Sequence, residues 1–168
     1  LLNKAVEARR KKRGVFASVA ADTPSIVSCL SNNLLKAAAS GIPYKEIGNR
    51  LYSSLAQKDE TKKQIFADAD EVIDAYRKKC LEFGMFDFAM CLELYVGCLL
   101  IDGQYVRRLH ERIEHLIVDD LEESMPVQAD FISLLLPNLK TCILAYNPEG
   151  GSSEDGDAYH NYLKKTIL

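Results

Sequence analysis

What this chain lacks narrows its chemistry. None of its five cysteines (Cys29, Cys80, Cys91, Cys98 and Cys142) belongs to a C-x-x-C pair. They read as reduced core residues of an intracellular protein, not as a disulfide frame or a zinc site. The three histidines, His110, His115 and His160, show no metal-ligand spacing. No nucleophile stands in a readable pattern with a base, so an enzyme of the acyl-transfer kind has little support. No signal peptide opens the chain and no apolar run is long enough to cross a bilayer. A soluble, cytoplasmic protein with no membrane partner is expected. There is no internal repeat.

Other features are plentiful. Apolar residues make up 48% of the 168 positions, enough for a real core. The net charge of −3 hides strong segregation. Residues 1–14 carry Lys4, Arg9, Arg10, Lys11, Lys12 and Arg13 against Glu7 alone. Acids gather at Asp119, Asp120, Glu122 and Glu123, and again at Glu149, Glu154, Asp155 and Asp157. The basic end suits a polyanion, or is simply a solvated helix terminus.

Most of the chain reads as helix. Residues 2–13 form a first helix whose basic last turn suits the helix dipole. Residues 14–23 connect it to a second, with Thr23 as N-cap and Pro24 at the first helical position. That helix carries Ile26, Val27, Leu30, Leu34 and Leu35 and stops near Gly41. Pro43 opens a third, with Ile47, Leu51 and Leu55 spaced by fours. In the fourth, Ile65, Ala69, Val72, Ile73, Tyr76, Cys80 and Phe83 step along one face until Gly84 ends it. Asp87 begins a fifth, Phe88 to Leu100, apolar on most sides and therefore expected to be buried. Tyr76, Phe83, Phe88 and Tyr95 read as core, not as a platform for stacking bases. Gln104 to Glu114 is a charged helix with Val106, Leu109 and Ile113 inside.

The character then changes. His115-Leu116-Ile117-Val118 is a short apolar run that ends in Asp119-Asp120-Leu121-Glu122-Glu123, and such a run suits a buried strand of a parallel sheet. Pro126 to Leu136 is an amphipathic helix, and Leu139 to Tyr146 a second strand. Strand, helix, strand at this spacing is a βαβ unit. Ligands gather at the carboxyl ends of such strands, and an acidic pair there can hold Mg²⁺ and orient an attacking water. The plainer alternative is a solvated acidic turn. Two strands alone make a marginal sheet, so further strands are expected elsewhere in a longer protein. Residues 148–157 read as a mobile loop and 158–166 as a short closing helix.

From about residue 24 to 157, and most closely from 64 to 128, the chain resembles the superfamily I DNA helicases of the UvrD/PcrA/Rep kind. Gly84-Met85-Phe86-Asp87-Phe88 matches the family's G-L-x-D-F opening of a closing helix. Val118-Asp119-Asp120-Leu121-Glu122-Glu123-Ser124-Met125-Pro126-Val127-Gln128 aligns with V-D-E-F-Q-D-T-N-x-x-Q. Residues 144–157 (Leu144-Ala145-Tyr146-Asn147-Pro148-Glu149, then Gly150 to Asp157) fall on V-G-D-x-x-Q-S-I-Y-G-F-R-G-A. The resemblance implies a mainly α protein. A helical bundle at 1–114, the subdomain inserted in the family's first motor domain, is followed at 115–168 by a small βαβ remnant of a RecA-like parallel sheet.

The resemblance also implies roles. Asp119 takes the Mg²⁺-linked position and Asp120 the catalytic one. Glu122, Gln128 and Glu149 fall at nucleotide-contacting positions. Arg9, Arg10, Lys12 and Arg13 would meet DNA phosphates, single-stranded or forked. Departures weaken the site. Asp120 replaces a Glu, leaving its carboxylate about 1–1.5 Å short, a misplacement that can cost about 10²-fold in rate. Glu122 and Glu149 replace glutamines, exchanging donors for acceptors that repel a triphosphate. Asp155 replaces an Arg. The phosphate loop ending in Gly-Lys-Thr/Ser is absent from these 168 residues, so the chain alone is expected to hydrolyse nothing and to hold no cofactor. ATP and Mg²⁺ belong to an active parent. The expected function is a piece of an ATP-dependent helicase, working with the rest of its chain. The alternatives are a non-catalytic DNA- or protein-binding scaffold of the same fold, and an all-helical interaction module unrelated to it. A bare strand edge also invites self-association.

Overall fold

The structure is a computed structural model. It describes residues 1–12, 14–148, 150 and 156–167, and of Val15 and residues 156–160 the backbone only. Among these it has eight α-helices and a two-stranded parallel sheet, so the chain is mainly α. It divides into two compact units. One comprises Leu1–Ala38 with Ile42–Cys91, the other Ala39–Gly41 with Leu92–Leu168.

The first unit is built on a long helix, α4 (Glu60–Glu82), which packs against α1 (Leu2–Lys11) and α3 (Ile47–Ser54). Its boundaries are chemical. The Asp59 side chain accepts from the Lys62 N–H at 2.7 Å and caps the start. At the end Gly84 takes φ 62°, letting the Met85 N–H reach the Cys80 carbonyl at 2.9 Å and the Gly84 N–H the Leu81 carbonyl at 3.1 Å. Helix α2 (Thr23–Ala39) closes in the same way: Gly41 sits at φ 68° and the Ile42 N–H bonds the Ala37 carbonyl. Its N-cap is not Thr23, as the sequence suggests. Asp22 caps it instead, accepting from Ser25 N–H at 2.8 Å, and Thr23 and Pro24 lie in the first turn. Val72, Ile73 and Cys80 of α4, Ile47 of α3 and Val6 of α1 are buried.

The aromatic expectation fails at two positions. Phe83 is 63% and Phe88 72% exposed, and Leu81, Met85 and Phe86 beside them are exposed too. Phe83 is the C-cap residue of α4, just before the glycine turn and past the last buried position, Cys80, and Phe88 begins the next helix on its open side. That helix, α5 (Phe88–Leu94), runs into a π-helical turn at Tyr95–Leu99, so the expected single helix changes pitch midway. It is not buried all round: Ala89 and Met90 are buried, while Cys91, Leu94, Cys98 and Leu99 are exposed. The cysteines differ from expectation as well. All five are free, but Cys29, Cys91 and Cys98 are exposed and only Cys80 is fully buried.

In the second unit, α6 (Gly103–Arg112) starts on Asp102, whose carboxylate accepts from the Gln104 and Tyr105 N–H groups. Strand β1 (His115–Val118) then pairs in parallel with β2 (Thr141–Leu144), His115 opposite Thr141 and Val118 opposite Leu144. Between them runs α7 (Pro126–Leu135), and α8 (Gly156–Thr166) follows β2. The strand–helix–strand unit read from the sequence is therefore present. Leu121, Ala129, Ile132 and Leu163 form its core, with Leu116, Val118 and Leu144 packed onto it from one sheet face. The opposite face is open: Ile117 is 75% exposed and Ile143 half exposed. A strand covered on both faces was expected from the apolar run, but these side chains alternate, and only every second one meets α7 and α8. No single helix among the described residues is long and apolar enough to cross a membrane.

Candidate functional site

Because β1 and β2 are parallel, their carboxyl ends share one edge of the sheet, where the acidic stretch begins. Asp119 and Asp120 are both exposed there. The Asp119 carboxylate accepts from the Asp120 N–H at 3.0 Å. Asp120 sits at φ 50°, ψ 47°, a left-handed conformation that Asp tolerates better than most residues. This residue turns the chain from the strand into a short 3₁₀ turn, Leu121–Glu123. The Leu121 N–H reaches back across the sheet end to the Ala145 carbonyl at 3.0 Å, and the Ala145 N–H bonds the Val118 carbonyl at 2.8 Å. The two strand exits are thus tied together before any side chain takes part.

Glu122 tightens the tie. It is buried, and its Oε2 accepts from the Asn147 N–H at 3.0 Å. A Cβ built on Gly150 would lie 2.7 Å from Glu122 Oε1, so the backbone there passes too close for any residue but glycine without a shift. Gln128 serves its own helix: its Oε1 accepts from the Met125 N–H at 2.8 Å, and Pro126 occupies the first turn. The structure thus brings Asp119, Asp120 and Glu122 to one edge and leaves Gln128 at the start of α7. Glu149 and Asp155 lie outside the described residues.

Mg²⁺ bound with a nucleotide takes one or two carboxylates and fills its other positions with phosphate oxygens and water. Asp119, exposed at the end of β1, is the residue that would hold such an ion, with Asp120 next to it in the chain. Among the described residues no group of three or more His, Cys, Asp or Glu side chains is placed to hold a metal by itself.

Of the basic set, Arg9 and Arg10 lie on α1, in the first unit. Arg9 faces inward. Its guanidinium is paired with Asp68, which is only 1% exposed, and lies 3.1 Å from Glu71. Arg10 donates to the Ala21 carbonyl at 2.9 Å and reaches Thr23 Oγ1 at 3.4 Å. Lys12 is exposed, and Arg13 lies outside the described residues. Sequence reasoning passed over Asp68. The signal was there: an acid three residues after Ile65 and four before Val72, on the apolar stripe of α4. An acid in that place requires a cation from elsewhere.

No protein-family model matches the chain, and no curated protein or solved structure is significantly similar to it.

Proposed function

We propose that this chain is the inserted helical subdomain and the returning motor strands of a UvrD/Rep-like DNA helicase. ATP-dependent unwinding or translocation belongs to the longer protein, and the nucleotide site at the end of β1 is a weakened one. One observation carries the reading. Asp119 leaves the carboxyl end of a strand that is parallel to β2 and joined to it through α7, the position at which α/β proteins hold nucleotide-bound Mg²⁺. In this reading Asp119 holds the ion, and Asp120 orients the water from a carboxylate one methylene shorter than the chemistry prefers. Exposed cations of the first unit, Lys12 among them, meet DNA phosphates without sequence preference.

A second reading, a non-catalytic scaffold for DNA or protein, is favoured by Glu122. Its carboxylate is buried against the Asn147 N–H instead of being offered to a ligand. The test is ATP hydrolysis by the longer protein containing this chain. Slow, Mg²⁺-dependent turnover that Asp119→Asn abolishes and Asp120→Glu raises about tenfold or more supports the weakened motor. DNA binding that is indifferent to ATP, with no turnover in any variant, supports the scaffold. Absence of both turnover and DNA binding overturns the motor and the DNA-binding scaffold, and leaves the protein-binding scaffold.

A further inference from the structure

The first unit contains a cavity that the helicase reading does not use. Helix α4 packs closely on α1 and α3, whereas α2 stands further out, and the gap is an apolar space of about 220 Å³. Its walls include Ile26 and Leu30 from α2, Ile47 and Leu51 from α3, and Phe66 and Ile73 from α4. Folded cores rarely keep voids much larger than a water molecule. An engineered apolar cavity of about 150 Å³ stays dry and takes up benzene. The present space is larger, enough for one aromatic ring with a short substituent.

One charged group lines it. Asp70 Oδ1 accepts from the Gly48 N–H, in the first turn of α3, at 2.9 Å. Among the described residues no cation pairs with this carboxylate, and the Gly48 N–H is the hydrogen-bond donor it has. Burial holds its affinity for a proton above the ordinary carboxylate range, the Gly48 bond opposing. Gly48 makes the arrangement possible, since a Cβ there would lie 2.4 Å from Asp70 Oδ2. An apolar pocket, open on one side to solvent and carrying one half-buried, incompletely satisfied carboxylate, is the pattern of a small-molecule site, in which apolar walls supply affinity and one polar group sets orientation.

We propose that this cavity binds a compact apolar amine, its ring among α2, α3 and α4 and its ammonium on the carboxylate of Asp70. A cation there completes the hydrogen bonding of Asp70 and repays part of the cost of its burial. An anion of the same shape is repelled. The site is independent of the nucleotide edge and stands or falls separately from the helicase reading.

Three probes, each one phenyl ring on a short chain, decide it: phenethylamine, ethylbenzene and 3-phenylpropionate. Each is titrated into the ¹⁵N-labelled chain while amide shifts are followed. We expect phenethylamine to move resonances of α2, α3 and α4 and to bind at least about tenfold tighter than ethylbenzene, the worth of one hydrogen bond to a charged group. 3-Phenylpropionate should bind weakest. Asp70→Asn keeps an acceptor for Gly48 and should bring phenethylamine down to the level of ethylbenzene. Ala69→Leu, which fills the space, should remove both. Equal affinity for amine and hydrocarbon overturns the proposal, as do shifts confined to residues outside the cavity. So does an Asp70→Asn variant with unchanged amine preference. The probe ladder on the unaltered chain decides the matter even if both variants fold poorly.

Discussion

The Asn147 N–H donates to Glu122 Oε2 across 3.0 Å, joining the segment after β1 to the segment after β2. Twenty-five residues separate the partners in sequence. The bond closes the end of the βαβ unit with a buried carboxylate, so an acid that looked like part of a solvated cluster is a structural clasp. Glu122→Ala leaves the Asn147 N–H without this acceptor. It should lower the stability of the chain by about 1–3 kcal/mol in urea unfolding. Glu122→Gln, which keeps an acceptor, should lose less. Equal losses for the two variants would show that the hydrogen bond is not what holds the strand exits.

Arg9 is a stability residue before it is anything else. Removing its guanidinium leaves the buried Asp68 carboxylate with the Gln64 amide, at 2.7 Å, as its remaining side-chain partner. Arg9→Ala should cost about 3 kcal/mol, the order found when one member of a buried pair is deleted. Lys12→Ala should leave the unfolding midpoint within about 0.5 kcal/mol. If this face touches DNA, Lys12→Ala reduces the salt dependence of binding by about one phosphate contact. A stable Arg9→Ala protein with weakened DNA binding would reverse this assignment.

The same pair sets a pH dependence. Burial raises the Asp68 carboxyl, and hydrogen bonds from Arg9, Gln64 and the Phe16 backbone more than reverse it, leaving it below its ordinary value of 3.8. A carboxyl depressed on folding contributes stability that is complete above its unfolded value. That contribution is lost as pH falls through the folded one. Acid unfolding of the wild type should therefore draw on this pair only below about pH 4. In Arg9→Ala the acid midpoint, followed by circular dichroism, should move to higher pH. An unmoved midpoint would mean that Asp68 is not among the groups that drive acid unfolding.

Phe83 and Phe88 should tolerate polar replacement. Both lie largely in solvent, so Phe83→Ser and Phe88→Ser are expected to shift stability by less than about 1 kcal/mol, against about 3–5 kcal/mol for a buried Phe. Sedimentation velocity should show less self-association in the double variant, since an exposed apolar cluster favours association. A loss of several kcal/mol would place these rings in a core after all.

Gly48→Ala should be costly in a way helix propensity does not foresee. Alanine is the better helix former by about 1 kcal/mol, yet its methyl carbon would press on the Asp70 carboxylate at 2.4 Å. A net loss of about 1–3 kcal/mol is expected from thermal unfolding. A stabilised variant would show that Asp70 moves aside freely.

What the sequence determined by itself is local. Asp59, Asp87 and Asp102 start helices because a short carboxylate reaches the N–H groups two or three residues on, and for Asp87 that bond goes to Met90 at 2.7 Å. Gly41 and Gly84 end helices because only a residue without a Cβ turns left-handed at little cost. The parallel strand–helix–strand unit follows from spacing, since a crossover of that length admits few other arrangements. These features need only neighbours within one or two turns. Tertiary structure decided what depends on distant partners: that Asp68 would take Arg9 from the basic helix, that Glu122 would be buried against Asn147, and that one face of β1 would stay open. It also decided that the apolar stripe of α4 would end before Phe83 and that α2 would stand off from α4 around Asp70. A side chain's own chemistry sets what it costs to bury it. Whether it is buried depends on what lies opposite, and residues 59 or 25 positions away are not legible in a periodic pattern.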